Sequence, residues 1–214
     1  ERRMSRAAVK SGVTNTVIEA KVDKSGKVTL KGKIEKGAIN PIVLVNYEDN
    51  KNPNYSQDGR YALAVVRKLQ SEYGFTEMNM VGHSMGNMSI MYYLLDNSGY
   101  KSLPKLVKQV NIAGHFDGIL SYDFDENTVL DKEDGKPNIM TPSYEELTKI
   151  REFYPENQID VLNIFGDRGR SSSKARAEST VVFTKTRKLT SYLLILYGGN
   201  SNENKSRDHA RTHN

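Results

Sequence analysis

The chain has 214 residues, 37% of them hydrophobic and 27% charged, the size and balance of one globular α/β domain. No run approaches the roughly 18 apolar residues of a membrane helix, and the absence of cysteine excludes thiol catalysis, cysteine-based zinc sites and disulfides. The net charge of +5 is uneven: residues 1–166 carry 21 basic against 22 acidic side chains, and residues 167–214 carry 10 against 4. That terminal excess lacks the interleaved pattern of a base-stacking platform, so no nucleic-acid partner is expected.

Glu1-Arg2-Arg3-Met4 carries no apolar signal stretch and does not begin with Met, so the chain is expected to be a fragment, a processed form or a trimmed form. Residues 3–10 read as a short helix with Met4, Ala7 and Ala8 on one face. Thr16–Val22 and Lys27–Ile34 alternate in polarity about Asp23-Lys24-Ser25-Gly26 and predict a hairpin. Ile42–Val45 is a short β-branched run of the kind buried on both faces of a sheet. Tyr61–Tyr73 has helical spacing, closed by Gly74.

Residues 78–81 form a strand that runs into Gly82-His83-Ser84-Met85-Gly86, and Met85–Asp96 returns to helical spacing. Val107–Ala113 and Ile159–Phe165 are further strands. Ser143–Phe153 reads as a helix with Ser143 as N-cap and Glu146 completing a capping box. The polar, acidic segment 115–142 is too long for an ordinary connection and has the character of a lid. Strands alternating with helices imply a mostly parallel sheet in one domain spanning 1–214, with 42–45, 78–81, 107–113 and 159–165 as neighbours.

The pentapeptide Gly82–Gly86 stands between an apolar strand and an apolar-periodic helix, the setting of a nucleophile elbow. Such a turn is tight and strained; its glycines avoid clashes across it, and it exposes the serine hydroxyl at the carboxyl end of the sheet. Ser84 is therefore the candidate nucleophile. The Met85 N–H at the helix start is the candidate oxyanion donor, helped by the helix dipole. His83 is expected to point away from the reaction centre as a packing residue.

A serine hydroxyl needs a base, and the base needs an orienting acid, in the chain order serine, acid, histidine for this fold. His115 directly follows a strand end and either lines the pocket or opens the lid. His209 and His213 lie where the order places the base. Asp167 follows the strand ending at Phe165, at the carboxyl edge where such acids sit.

The stretches Asn40–Val43, Asp49–Asn52, Met80–Ser89, Leu103-Pro104, Val110–Gly114 and Val161–Asp167 together resemble a family of α/β-hydrolases of uncharacterised function from Gram-positive bacteria, often labelled cell-surface hydrolases. The resemblance spans about residues 38–167. It implies an α/β-hydrolase fold, a serine hydrolase whose natural substrate is not established, and an extracellular or cell-surface setting. It also implies a strand ending in a His-Gly loop, which supplies a second oxyanion donor and would precede Glu1. The region after Asp167 departs from the family pattern, making 168–214 an atypical tail. On the family match the acid slot falls at or beside Ser179, so Glu178 competes with Asp167, and His209 is the base.

Two other patterns carry less. Asp123-x-Asp125-x-Asn127 resembles the start of a calcium loop, but Thr128 stands where glycine is needed and Asp134 where a bidentate glutamate is usual. His209 and His213 lack the glutamate of a His-Glu-x-x-His zinc motif. The sequence therefore predicts no metal and no cofactor, a small-molecule acyl or ester substrate, and a serine hydrolase using Ser84, Asp167 and His209. A non-catalytic binding protein or an inactive fragment on the same fold is the competing reading.

Overall fold

Among the described residues, alternating helices and strands form a seven-stranded sheet with helices on both faces. The computed structural model describes residues 2–116, 127–129, 131, 136–164 and 192–198. In chain order these give α1 (Arg2–Lys10), β1 (Val17–Val22), β2 (Val28–Lys31), β3 (Ile42–Tyr47), α2 (Tyr55–Tyr73), β4 (Glu77–Ser84), α3 (Met85–Asn97) and β5 (Lys105–Ile112). There follow α4 (Pro142–Thr148) with a 3-10 turn over Lys149–Glu152, then β6 (Asp160–Ile164) and β7 (Tyr192–Gly198). The sheet order is β2-β1-β3-β7-β4-β5-β6. Among the described strands only β2 runs antiparallel to its neighbour, pairing with β1 through the predicted hairpin.

The two faces of the sheet are filled by alternate residues of the same strands. On one face Val43, Val45, Met78 and Met80 pack against Val65, Val66 and Leu69 of α2 and Ile90 and Leu94 of α3. On the other, Ile42, Leu44 and Val81 meet Met4 and Ala8 of α1. Every residue of Ile42–Val45 is buried, as a two-faced strand requires. α2 ends at Gly74, whose φ of 66° is left-handed and whose N–H reaches the Gln70 carbonyl.

The structure revises several expectations. Ala7 is exposed, and Met4, Ser5 and Ala8 form the inner face of α1. α2 begins six residues before the apolar periodicity does, because the Asn54 side chain caps it by accepting from the Gln57 N–H. The cap of α4 is Thr141, which accepts from the Tyr144 N–H at 3.2 Å. Pro142 explains the shift from Ser143: it has no N–H to leave unpaired and its φ suits the first helical position.

The largest revision concerns the middle of the sheet. β3 and β4 are not neighbours; β7, from the atypical tail, lies between them and pairs in parallel with both. Of the segment 115–142, the described part pairs the Asp131 N–H with the Lys136 carbonyl and the Asn138 N–H with the Val129 carbonyl. Among the described residues no helix is long and apolar enough to cross a membrane.

Candidate active site

Ser84 is the last residue of β4 and the N-cap of α3, so the chain reverses there from strand to helix with no intervening loop. Its backbone has φ 52° and ψ −123°. That region is costly for any residue with a Cβ, by about 1–3 kcal/mol. Ser84 makes no side-chain capping bond to the helix. Met85 opens α3, so its N–H belongs to the first turn, where backbone donors have no partner within the helix.

Packing beneath the turn explains its glycine. A Cβ on Gly82 would stand 2.5 Å from Asn87 Oδ1 and 2.8 Å from the Asn87 N and Cα. Because Gly82 faces α3, strand alternation sends His83 toward the opposite face, as expected of a packing residue. His83 is half-buried, and burial lowers its pKa. Gly86 is buried at the start of the helix.

Neighbouring strand ends surround the turn. Ser84 is in register with Gly198 at the carboxyl end of β7, and His83 with Ile112 of β5. Directly after β5, Ala113 has a positive φ of 49°, and its N–H donates to the Ile164 carbonyl at the end of β6 at 2.8 Å. His115 is partly buried two residues further on. Phe116 closes over Gly114, where a Cβ would stand 2.6 Å from the ring.

A chain of amides, buried at Gln109 and Asn111 and partly buried at Asn163, runs below the turn on the α3 side. Tyr154 Oη donates to Gln109 Oε1 at 3.2 Å, Gln109 Nε2 to Asn111 Oδ1 at 2.8 Å, and Asn111 Nδ2 to Asn163 Oδ1 at 2.7 Å. Asn111 is in register with Gly82 on one side and Asn163 on the other. Sequence reasoning placed Asn111 and Asn163 only within strands. The signal it passed over was a polar residue at an inward position of an apolar run.

Of the site residues proposed from sequence, the structure places Ser84 and Met85 together at the turn. Asp167, Glu178, His209 and His213 lie outside the described residues, as do Asp123, Asp125 and Asp134. Among the described residues no group of three or more His, Asp or Glu is arranged to hold a metal ion. One strongly shifted carboxyl was not anticipated: Asp58, in the first turn of α2, is buried, and burial together with the nearby Asp49 raises its pKa to about 7.

A mostly parallel sheet flanked by helices, with a serine in a strained strand-to-helix turn, is the architecture of the α/β-hydrolase fold. The chain belongs to the family described as alpha/beta hydrolase of unknown function (DUF915), whose model matches residues 1–213. It is similar in fold to the lin2722 product of Listeria innocua, with 19% identity, a TM-score of 0.60 and 91% of each chain covered. A candidate cell surface hydrolase from Lactobacillus plantarum WCFS1 is similar at 16% identity and a TM-score of 0.58, over 75% of this chain and 59% of that one. No protein of curated function matches the sequence.

Proposed function

We propose that the protein is a serine hydrolase that cleaves an ester or related acyl bond with Ser84 as nucleophile. The observation that carries this reading is the φ of 52° at Ser84. A serine in that conformation costs stability that a simple helix cap would not require. In the reaction, Ser84 Oγ attacks the acyl carbon while its proton passes to His209. The imidazolium then protonates the departing alcohol, and an acyl-enzyme remains. Water, deprotonated by the same histidine, releases the acid and restores Ser84. Asp167, or Glu178 in its place, orients the imidazole.

The oxyanion is held by the Met85 N–H. Gly198 supports a second donor beside it, because the carboxyl end of β7 lies level with Ser84. Of segment 115–142, which the sequence reads as a lid within a single domain, residues 117–126, 130 and 132–135 lie outside the described residues. An extracellular or cell-surface setting is part of the proposal, supported by the description of the Lactobacillus relative.

The test is a fluorophosphonate probe, which phosphonylates an activated serine. Labelling of the wild type and none of Ser84→Ala is the expected result. An unlabelled wild type would refute the enzyme reading in favour of a non-catalytic binding role on this fold.

A further inference from the structure

The strained turn at Ser84 is tied to the rest of the sheet edge through one side chain. Asn87 lies one helical turn after Ser84 and is fully buried. Its Nδ2 donates to the Ser84 carbonyl at 2.8 Å and to the Ile112 carbonyl at 3.0 Å. Both partners are carbonyl oxygens, which only the NH2 end of an amide can satisfy, so the orientation of the side chain is fixed by chemistry. The other end, Oδ1, fills the space where Gly82 lacks a Cβ and has no hydrogen-bond partner among the described residues. A buried amide that leaves its acceptor unpaired carries a cost, which the two donor bonds to backbone carbonyls offset.

What they hold is a series of three strand ends. Asn87 joins the end of β4 to the end of β5, and the Ala113 N–H joins the end of β5 to the Ile164 carbonyl at the end of β6. Two non-glycine residues with positive φ, Ser84 and Ala113, flank this tie on either side. Local chain chemistry favours neither conformation, so something outside each turn must impose it. The Asn87 amide touches the carbonyl of Ser84 itself and that of the residue just before Ala113.

We propose that Asn87 is a positioning residue that sets the nucleophile turn against the ends of β5 and β6. This rests on the reading of Ser84 as nucleophile for its catalytic consequence, while the structural tie stands on hydrogen bonds alone. An asparagine does what a smaller residue here would not: two hydrogens on one planar nitrogen reach two backbone carbonyls of different strands. The angle of the elbow and the exit of the chain from β5, toward His115, are then fixed by one group. A shift of about 1 Å in such a constellation costs on the order of 10²-fold in rate.

The variants Asn87→Ala and Asn87→Ser separate the two bonds. Serine hydroxyls already donate to carbonyls three residues back in this chain, Ser5 to Arg2 at 3.2 Å and Ser11 to Ala8 at 3.0 Å. Asn87→Ser therefore keeps the bond to Ser84 and loses only the one to Ile112. Hydrogen exchange of the full chain reads the tie at two amides: Met88, where a helix capped by Ser84 closes its first rung, and Ala113. In Asn87→Ala both lose protection while the amides of β1 and β3 keep theirs. In Asn87→Ser protection returns at Met88 and stays lost at Ala113.

Fluorophosphonate labelling, measured well below the unfolding midpoint, falls by about 10²-fold in Asn87→Ala and by less in Asn87→Ser. The proposal is overturned by wild-type protection at Ala113 in Asn87→Ala, by equal loss throughout the sheet, or by unchanged labelling once Ala113 has loosened. A wild-type protein that takes no probe refutes the hydrolase reading alone, because the exchange pattern still decides the role of Asn87.

Discussion

Two turns of this chain reverse its direction by opposite means. Between β1 and β2, Asp23 accepts from the Ser25 N–H, the Ser25 hydroxyl and the Lys27 N–H, and Gly26 takes the positive φ of 87°. All of this chemistry lies within five consecutive residues, and the conformation that strains a side chain falls on a glycine. Between β4 and α3 the positive φ falls on Ser84 instead, and the contacts that hold it come from Asn87, Gly82 and, across the sheet, Ile112. The first turn is relaxed and local. The second is strained and held by tertiary contacts, the arrangement found where function needs a side chain presented in an unfavourable conformation.

The same contrast separates two aspartates. The hydroxyl of Ser25, the backbone of Lys27 and the other bonds of its turn hold the Asp23 carboxyl below its ordinary pKa. Burial, with Asp49 nearby, pushes that of Asp58 up to about 7. One carboxylate is stabilised by its own loop, and the other is disfavoured by the packing of α2.

The sharpest way to break the comparison is to remove the strained side chain. Ser84→Ala should lower any esterase activity by about 10³-fold or more, leaving only what the oxyanion donor and substrate binding contribute over the uncatalysed reaction. Ser84→Gly should do the same to activity while raising stability by about 1–2 kcal/mol, because glycine adopts this φ without strain. Urea unfolding of Ser84→Gly beside Ser84→Ala checks this. A glycine variant no more stable than the alanine variant would mean that the turn stores no strain.

The next largest effect belongs to Asp58. In the folded state its carboxyl keeps its proton up to about pH 7, whereas the unfolded chain releases it near the ordinary aspartate value of 3.8. The unfolded state therefore binds fewer protons between those values, and stability falls as pH rises from about 4 to about 7. The loss reaches on the order of 4 kcal/mol at most. Asp58→Asn should flatten that decline in unfolding free energy measured at about pH 5 and pH 8; an unchanged slope would assign the decline to another group.

Gly82→Ala tests the packing beneath the strained turn. Its new Cβ meets the backbone of Asn87, which cannot move without the helix. A loss of about 1–3 kcal/mol in urea unfolding is expected, accompanied by loss of probe labelling. The smallest effect should come from Asp23→Ala. The hairpin turn loses its acceptor, Gly26 still supplies the positive φ, and the midpoint shifts slightly with labelling intact. Because the Asp23 pKa is lowered, its contribution is present above the ordinary carboxylate pKa and is lost as pH falls through the folded value.

Much of the fold was legible because its signals are local. The runs Ile42–Val45 and 78–81, the glycine after Tyr73 and the pentapeptide about Ser84 each mark an element or its boundary within a few residues. The start of α2 was less legible, since Tyr55–Arg60 lacks apolar periodicity and only the Asn54 cap announces it. The helix after residue 141 was read one cap too late, because Ser143 and Glu146 imitate a capping box while Pro142 favours Thr141.

The candidate site divides in the same way. The sequence by itself determined the strand-to-helix turn at Ser84, because a strand, two glycines, a serine and a helix are contiguous and their steric requirements are met within one short segment. It also determined the parallel character of the sheet, through runs buried on both faces. Only the tertiary structure decided that β7 fills the slot between β3 and β4, that Asn111 meets Asn163, and that Asn87 ties Ser84 to Ile112. Strand neighbours and buried amide pairs are set by which distant segments complete one another's hydrogen bonds, and no periodicity within either segment records its partner.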